Sequence, residues 1–283
     1  MKDRQLLWST IISVFALCLL VGCGPTATPK PTNTPTANTP ASSSPAILIP
    51  LYSYPNWWEP ADYIWDDIAL TNSQVPIMAV INPDTGPGGG PPNSDYQHGL
   101  DELRQAGVTI LGYVDTDYGK RKPDAVQADV DLYHQHFDID GIFFDRVTSG
   151  ADMCGYYKGL YTFVKSLPGM DIVVINPGTG PAECYFSQPI CDIGVIFEGD
   201  SNGWAEYQLP PYIFNYPSKR FAVLVHTVPD SATMQAHIDL VKARNIGYVY
   251  LTNDTMDDQN PWDTLPTFWE AEIDLLRQVM PIQ

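Results

Sequence analysis

Eight runs rich in Val, Ile, Tyr and Phe recur along this chain in alternation with helical patterns, and that alternation constrains the fold more than any other feature. The runs are Ile47–Tyr54, Pro76–Asn82, Thr109–Asp115, Gly141–Asp145, Asp171–Asn176, Ile193–Glu198, Phe221–His226 and Gly247–Asn253. They are near-continuously apolar, as strands of a parallel sheet must be when helices cover both faces. Helices are predicted over Pro60–Thr71, Asp95–Ala106, Asp124–Phe137, Cys154–Ser166, Ser231–Arg244 and Thr264–Met280, with weaker patterns at Glu183–Ser187 and Trp204–Gln208. Pro123 ahead of Asp124 and Gly107 after Ala106 supply start and stop signals. Eight β/α units predict an α/β fold of the (β/α)8 TIM-barrel type. The competing open doubly wound sheet lacks its Gly-x-Gly-x-x-Gly turn after the first strand.

The barrel pattern begins only at Ala46. Lys2 and Arg4 precede an apolar stretch from Leu6 to Leu20, which reads as a secretory signal over residues 1–22 and is too short to span a membrane comfortably. Leu20-Val21-Gly22-Cys23 resembles a bacterial lipobox, which implies lipidation of Cys23 and an extracytoplasmic, membrane-anchored protein. Residues 24–45 are almost wholly Thr, Pro, Ala, Ser and Asn, too polar to offset the entropy of ordering, and read as an extended linker. One domain over 46–283 follows, expected to act as a monomer. The net charge of −18 would repel nucleic acid and suits either solubility or a cationic polymer. Cys154, Cys184 and Cys191 remain after the signal and the lipidated cysteine are set aside. Cys154 with Cys184 is the expected disulfide, because both fall in neighbouring loops on one face, and the spacing suits no zinc site.

In a parallel barrel all strand C-termini converge on one face, where this fold keeps its active site. The strand ends here are Tyr52 and Tyr54, Asn82, Asp115, Asp145, Asn176, Glu198, His226, then Thr252 and Asn253. Asp145 and Glu198 each close an apolar run, and a pair of acids is the minimum equipment of a glycosidase. Tyr52, Asn82, Asp115, Asn176 and His226 are candidate substrate contacts. The two amides, each in an Ile-Asn-Pro setting, are expected to grip sugar hydroxyls or simply to form turns. Trp57 and Trp204 are candidate stacking platforms, whereas Trp58, Tyr156 and Tyr157 are assigned to helix and core.

Several of these segments together resemble the spherulin-4 family: Ile49-Pro50-Leu51-Tyr52-Ser53-Tyr54-Pro55, Val80-Ile81-Asn82-Pro83, Leu111-Gly112-Tyr113-Val114, Asp140 to Asp145, Val174-Ile175-Asn176-Pro177-Gly178 and Val195-Ile196-Phe197-Glu198. The family's characterised members form glycoside hydrolase family 135, related to endo-α-1,4-galactosaminidases. The resemblance implies cleavage of α-1,4-linked N-acetylgalactosamine or galactosamine polymers without metal or organic cofactor, with Asp145 as nucleophile and Glu198 as general acid/base. Many relatives carry a second acid after the Asp, where this chain has Arg146, a basic neighbour expected to favour the ionised form of Asp145. Glu198 is expected to hold its proton through an apolar setting beside Phe197. Two other readings stand beside this one: a non-catalytic polysaccharide-binding or coat module, favoured by Arg146, and a glycosidase for a different polysaccharide.

Overall fold

The computed structural model describes residues 45–278. The signal, Cys23 and all but the last residue of the linker lie outside the described residues. Eight parallel strands close into a barrel in sequence order: β1 (Ala46–Leu51), β2 (Ile77–Ile81), β3 (Thr109–Asp115), β4 (Gly141–Asp145), β5 (Ile172–Ile175), β6 (Ile193–Asp200), β7 (Phe221–His226) and β8 (Tyr248–Leu251), with β8 pairing back onto β1. The helices are α1 (Trp65–Thr71), α2 (Ser94–Gln105), α3 (Pro123–His136), α4 (Cys154–Ser166), α5 (Cys184–Ser187), α6 (Ser201–Glu206), α7 (Ser231–Ala243) and α8 (Trp269–Arg277).

The strands carry the core because nearly every residue in them is apolar and buried, from Ile47 in β1 to Leu251 in β8. Each fully buried Val, Leu or Ile contributes roughly 1.5–3 kcal/mol by leaving water, which is what holds the ring shut. Packing is close enough to require glycine at set points. A Cβ on Gly112 in β3 would sit 2.7 Å from the Tyr133 ring of α3, and one on Gly141 would fall 2.0 Å from the Ile172 carbonyl of β5.

Element boundaries differ from expectation where side chains leave the ladder for the barrel mouth. β1 stops at Leu51 because the Tyr52 N–H turns to the Trp262 carbonyl (3.2 Å). α1 begins at Trp65 and α8 at Trp269, their expected first turns being taken up by irregular loop. The opposite happens in β6, which runs to Asp200 and pairs with β7 as far as His226.

β6 also contains a bulge. Val195 pairs with Ala222, but Phe197 pairs with Val223, so Ile196 is an extra residue in the strand. Side chains alternate between faces along a strand, and one inserted residue reverses the alternation beyond it. Glu198 therefore shares the inward face of its partner Leu224, while Phe197 turns outward onto Trp204 (5.5 Å) and Tyr207 (5.1 Å). Without the bulge the phenylalanine would occupy the inward place.

Candidate active site

The C-terminal mouth of the barrel holds a cavity of about 650 Å³. Asp145 from the end of β4 and Glu198 from β6 both face it, and Asn176, just after β5, stands between them. The backbone makes this a rigid corner. Thr116 N–H donates to the Asp145 carbonyl (3.1 Å), Asn176 N–H to Phe144 (2.8 Å), Val147 N–H to Asn176 (3.1 Å) and Glu198 N–H to Gly178 (3.1 Å). The Thr116 hydroxyl also lies 2.9 Å from the carbonyls of both Asp145 and Arg146. Disulfide-bonded Cys154 and Cys184 tie the β4–α4 connection to the start of α5, and Cys191 is free and buried.

One nitrogen touches both acids. Asn176 Nδ2 donates to Asp145 Oδ1 at 2.8 Å and to Glu198 Oε2 at 2.5 Å, while its Oδ1 accepts from Gly178 N–H at 3.0 Å. Those two oxygens can therefore be no more than about 5.3 Å apart, an upper bound that admits the spacing of a retaining pair (roughly 5–5.5 Å). Asp145 Oδ2 accepts from the Tyr113 hydroxyl at 2.9 Å. Both amide hydrogens of Asn176 are thus spent on carboxylates, so it is a bridge between the acids and not the free sugar grip expected of it.

Burial raises the proton affinity of both acids. Burial pushes the Glu198 pKa up to about 7, helped by the charge of Asp145; the Asn176 amide and the Trp262 indole oppose the shift. Burial also raises Asp145, with the charge of Asp115 adding to it, but the Arg146 peptide N–H, Tyr113 and Asn176 all favour its ionised form. Three donors favour the Asp145 carboxylate and two the Glu198 carboxylate. The apolar surroundings of Glu198 come from Leu224 and Trp262 of the cavity wall, because Phe197 has turned away. Tyr52, also in the wall, has its pKa raised well above the usual phenol by burial and then by Asp145, so its hydroxyl keeps its proton.

Of the other expected contacts, Asn82 and His226 reach the cavity. Asn82 Oδ1 closes a turn by accepting from Gly86 N–H (2.8 Å). Burial lowers the His226 pKa, and its Nδ1 lies 2.8 Å from the Thr227 hydroxyl. Three candidates lie elsewhere. Asp115 is outside the cavity wall, its carboxylate taken by Arg146 Nη1 (3.0 Å) and Asp117 N–H (2.7 Å). Trp204 is fully buried in α6 against Tyr207, with the Arg244 guanidinium 4.5 Å above its ring, because Asp200 caps a short helix and turns the residue inward. Trp57 is exposed on the β1–α1 loop, its ring tilted against His98 (4.9 Å), and does not line this cavity. Trp58, assigned to the core from sequence, is half exposed beside it.

Arg146 also departs from expectation. Its backbone has φ of +50°, which carries the side chain out to Asp115 and Asp117 and over the Tyr118 ring (5.2 Å). It favours ionised Asp145 through its peptide N–H and not through its guanidinium.

Sequence reasoning missed Tyr113 and the β8–α8 loop, whose Met256, Gln259, Asn260 and Trp262 complete the wall. Tyr113 had a legible signal, since it stands two residues before Asp115 and so on the same face of β3. The loop carried no periodic signal, its wall residues lying irregularly between the end of β8 at Leu251 and the start of α8 at Trp269.

Residues 46–276 match the profile of the spherulation-specific family 4, Spherulin4. Spherulin-4 of Physarum polycephalum is 33% identical over 218 residues, 73% of this chain; the chain spans 63% of that relative's length. Sph3 of Aspergillus clavatus, solved in complex with GalNAc, superposes with a TM-score of 0.72 at 26% identity, covering 83% of this chain and 98% of that one. The spore cortex-lytic enzyme SleL of Bacillus cereus, 12% identical with a TM-score of 0.53 over 86% of this chain and 76% of its own, shares the fold. An acid pair in the mouth of such a barrel is the arrangement found in glycosidase-like, carbohydrate-active proteins. Within that class, the chain belongs to the spherulation-specific family 4.

Proposed function

We propose that this protein is a retaining endo-glycoside hydrolase acting on exopolysaccharide that contains α-1,4-linked N-acetylgalactosamine or galactosamine. The observation that carries the reading is the single Asn176 nitrogen hydrogen-bonded to both Asp145 and Glu198, which holds the acids close enough to support a retaining pair. The substrate class is supported by the GalNAc complex of Sph3.

In this mechanism Glu198, protonated near neutral pH, gives its proton to the leaving glycosidic oxygen while Asp145 attacks the anomeric carbon. The C–O bond breaks, the leaving sugar departs with the proton, and the remaining sugar is held as an ester on Asp145. Glu198, now ionised, takes a proton from water, whose oxygen displaces Asp145 and restores both acids. Asn176 acts as a positioning residue, and the Tyr113 hydroxyl stabilises the charge Asp145 regains.

The test is reducing-end release from purified α-1,4-galactosaminogalactan, run beside Asp145→Asn and Glu198→Gln, with the anomeric configuration of the first product read by NMR. Release with retained configuration, lost in both variants, is the expected result. Polymer bound but uncut would favour the coat-module reading instead; Arg146, the feature that supports it, lies outside the cavity. A lipid anchor on Cys23 completes the proposal and is tested by palmitate labelling of the chain against Cys23→Ala.

A further inference from the structure

A second cavity, of about 560 Å³, lies beside the catalytic one. The two share Tyr52, and the β8–α8 loop divides them: Trp262 faces the first, and Asp263, the next residue, faces the second. Tyr54 forms part of its wall and is 45% exposed, yet it is not free to move. Its hydroxyl donates to Asp95 Oδ2 (2.6 Å) and accepts from Asn93 Nδ2 (3.0 Å), and its ring meets Tyr96 edge-on at 5.5 Å. Trp58 lies 6.3 Å from Tyr54, and Trp57 lies 5.9 Å from Trp58, so Tyr54 is the first of three exposed rings in successive edge contact. Asp62, Asp67 and Asp263 line the same space, and none of the described residues lining it is basic.

Exposed aromatic surface left in water is costly, and fixing such a ring by hydrogen bonds at its far end removes the entropy that would otherwise oppose stacking on it. Sugar rings present C–H faces that stack on aromatic rings, and their edges carry donors that carboxylates accept.

We propose that this second cavity is a subsite for a further sugar unit of the same polymer, with Tyr54 as its stacking ring and Asp67 and Asp263 accepting hydrogens from the sugar's edge. The inference rests on the glycosidase reading and deepens it: a chain engaged on both sides of Tyr52 is cut internally. Burial and the neighbouring charges of Asp66 and Glu270 raise the pKa of Asp67, while burial followed by Asp254 and Asp258 raises that of Asp263; added positive charge would relieve this crowding. The donors are sugar hydroxyls or, in a deacetylated unit, an ammonium group.

The experiment measures binding by calorimetry in the full chain carrying Glu198→Gln, using GalNAc, α-1,4-linked N-acetylgalactosamine tetramer and its deacetylated counterpart. A tetramer should bind more tightly than GalNAc, and adding Tyr54→Ala should weaken tetramer binding about tenfold while leaving GalNAc binding unchanged. Adding Asp67→Asn with Asp263→Asn should weaken the tetramer too, equally for both forms if hydroxyls are the donors and selectively for the deacetylated one if ammonium is. Equal tetramer affinity with and without these substitutions overturns the subsite and leaves the glycosidase reading standing. Failure of all three ligands to bind overturns both.

Discussion

Glu198, half-buried at the barrel mouth, and Glu272, fully buried, are both glutamates whose pKa values burial drives upward, to about 7 and about 8. Their surroundings are otherwise opposite. Glu198 opens onto a cavity and meets Asn176, and its position was reached through a bulge in β6. Glu272 is sealed in α8 with no exposed surface, and neither carboxylate oxygen finds a hydrogen-bond partner among the described residues. A raised proton affinity by itself therefore does not mark a catalytic acid. Chemistry requires in addition an opening to substrate and a second group that sets direction, which only the barrel mouth supplies.

The sharpest way to break this comparison is to neutralise each acid in turn. Glu198→Gln is expected to lower polysaccharide cleavage by about 10³-fold or more, while Glu272→Gln leaves it unchanged, measured as initial rates of reducing-end release. If both variants lose activity together, the contrast fails.

Removing the bridge is expected to have the next largest effect. Asn176→Ala deletes a donor that favours ionised Glu198, so kcat/KM should fall by about 10–100-fold and the alkaline limb of its pH profile, set near 7 by Glu198, should move to higher pH. A merely structural asparagine would lower the rate and leave the limb in place.

Glu272 sharpens the comparison through stability. Its folded pKa of about 8 lies above the ordinary carboxylate value of 4.5, so between those values the folded state holds a proton that the unfolded state has lost. Stability accordingly falls as pH rises through that window, and the cost is fully present above it. Glu272→Met, which removes the buried acid, should stabilise the fold at pH 8 by on the order of 2 kcal/mol and much less at pH 4, read by denaturant titration at both values. The smallest effect is expected at Arg146→Ala. Its ion pairs are largely exposed, and its guanidinium faces away from the cavity, so cleavage should stay within about threefold of the parent rate.

Much of the molecule was legible before any coordinates, and the reason is local. Strands of a covered parallel sheet must be apolar along their length, so β1 to β8 announced themselves, and their order of polar ends followed. Asp145 and Glu198 stood out because a carboxylate closing such a run has one place to go. Errors arose wherever position depended on a partner distant in sequence. In sequence Trp204 reads as a loop aromatic, but Asp200 caps α6 and turns it inward; Asp115 reads as a sugar contact, but Arg146 holds its carboxylate. The β8–α8 loop, including Trp262, carried no periodic signal at all.

The sequence by itself determined the barrel, the face on which its chemistry gathers, and the two acids most suited to it, since apolar patterning and strand polarity are properties of short segments. Tertiary structure alone decided that Ile196 would bulge and turn Glu198 inward, that one Asn176 nitrogen would hold both acids, and that burial would raise the proton affinity of both. Register between neighbouring strands and burial of charge are set by residues brought together from across the chain, and no single segment contains them.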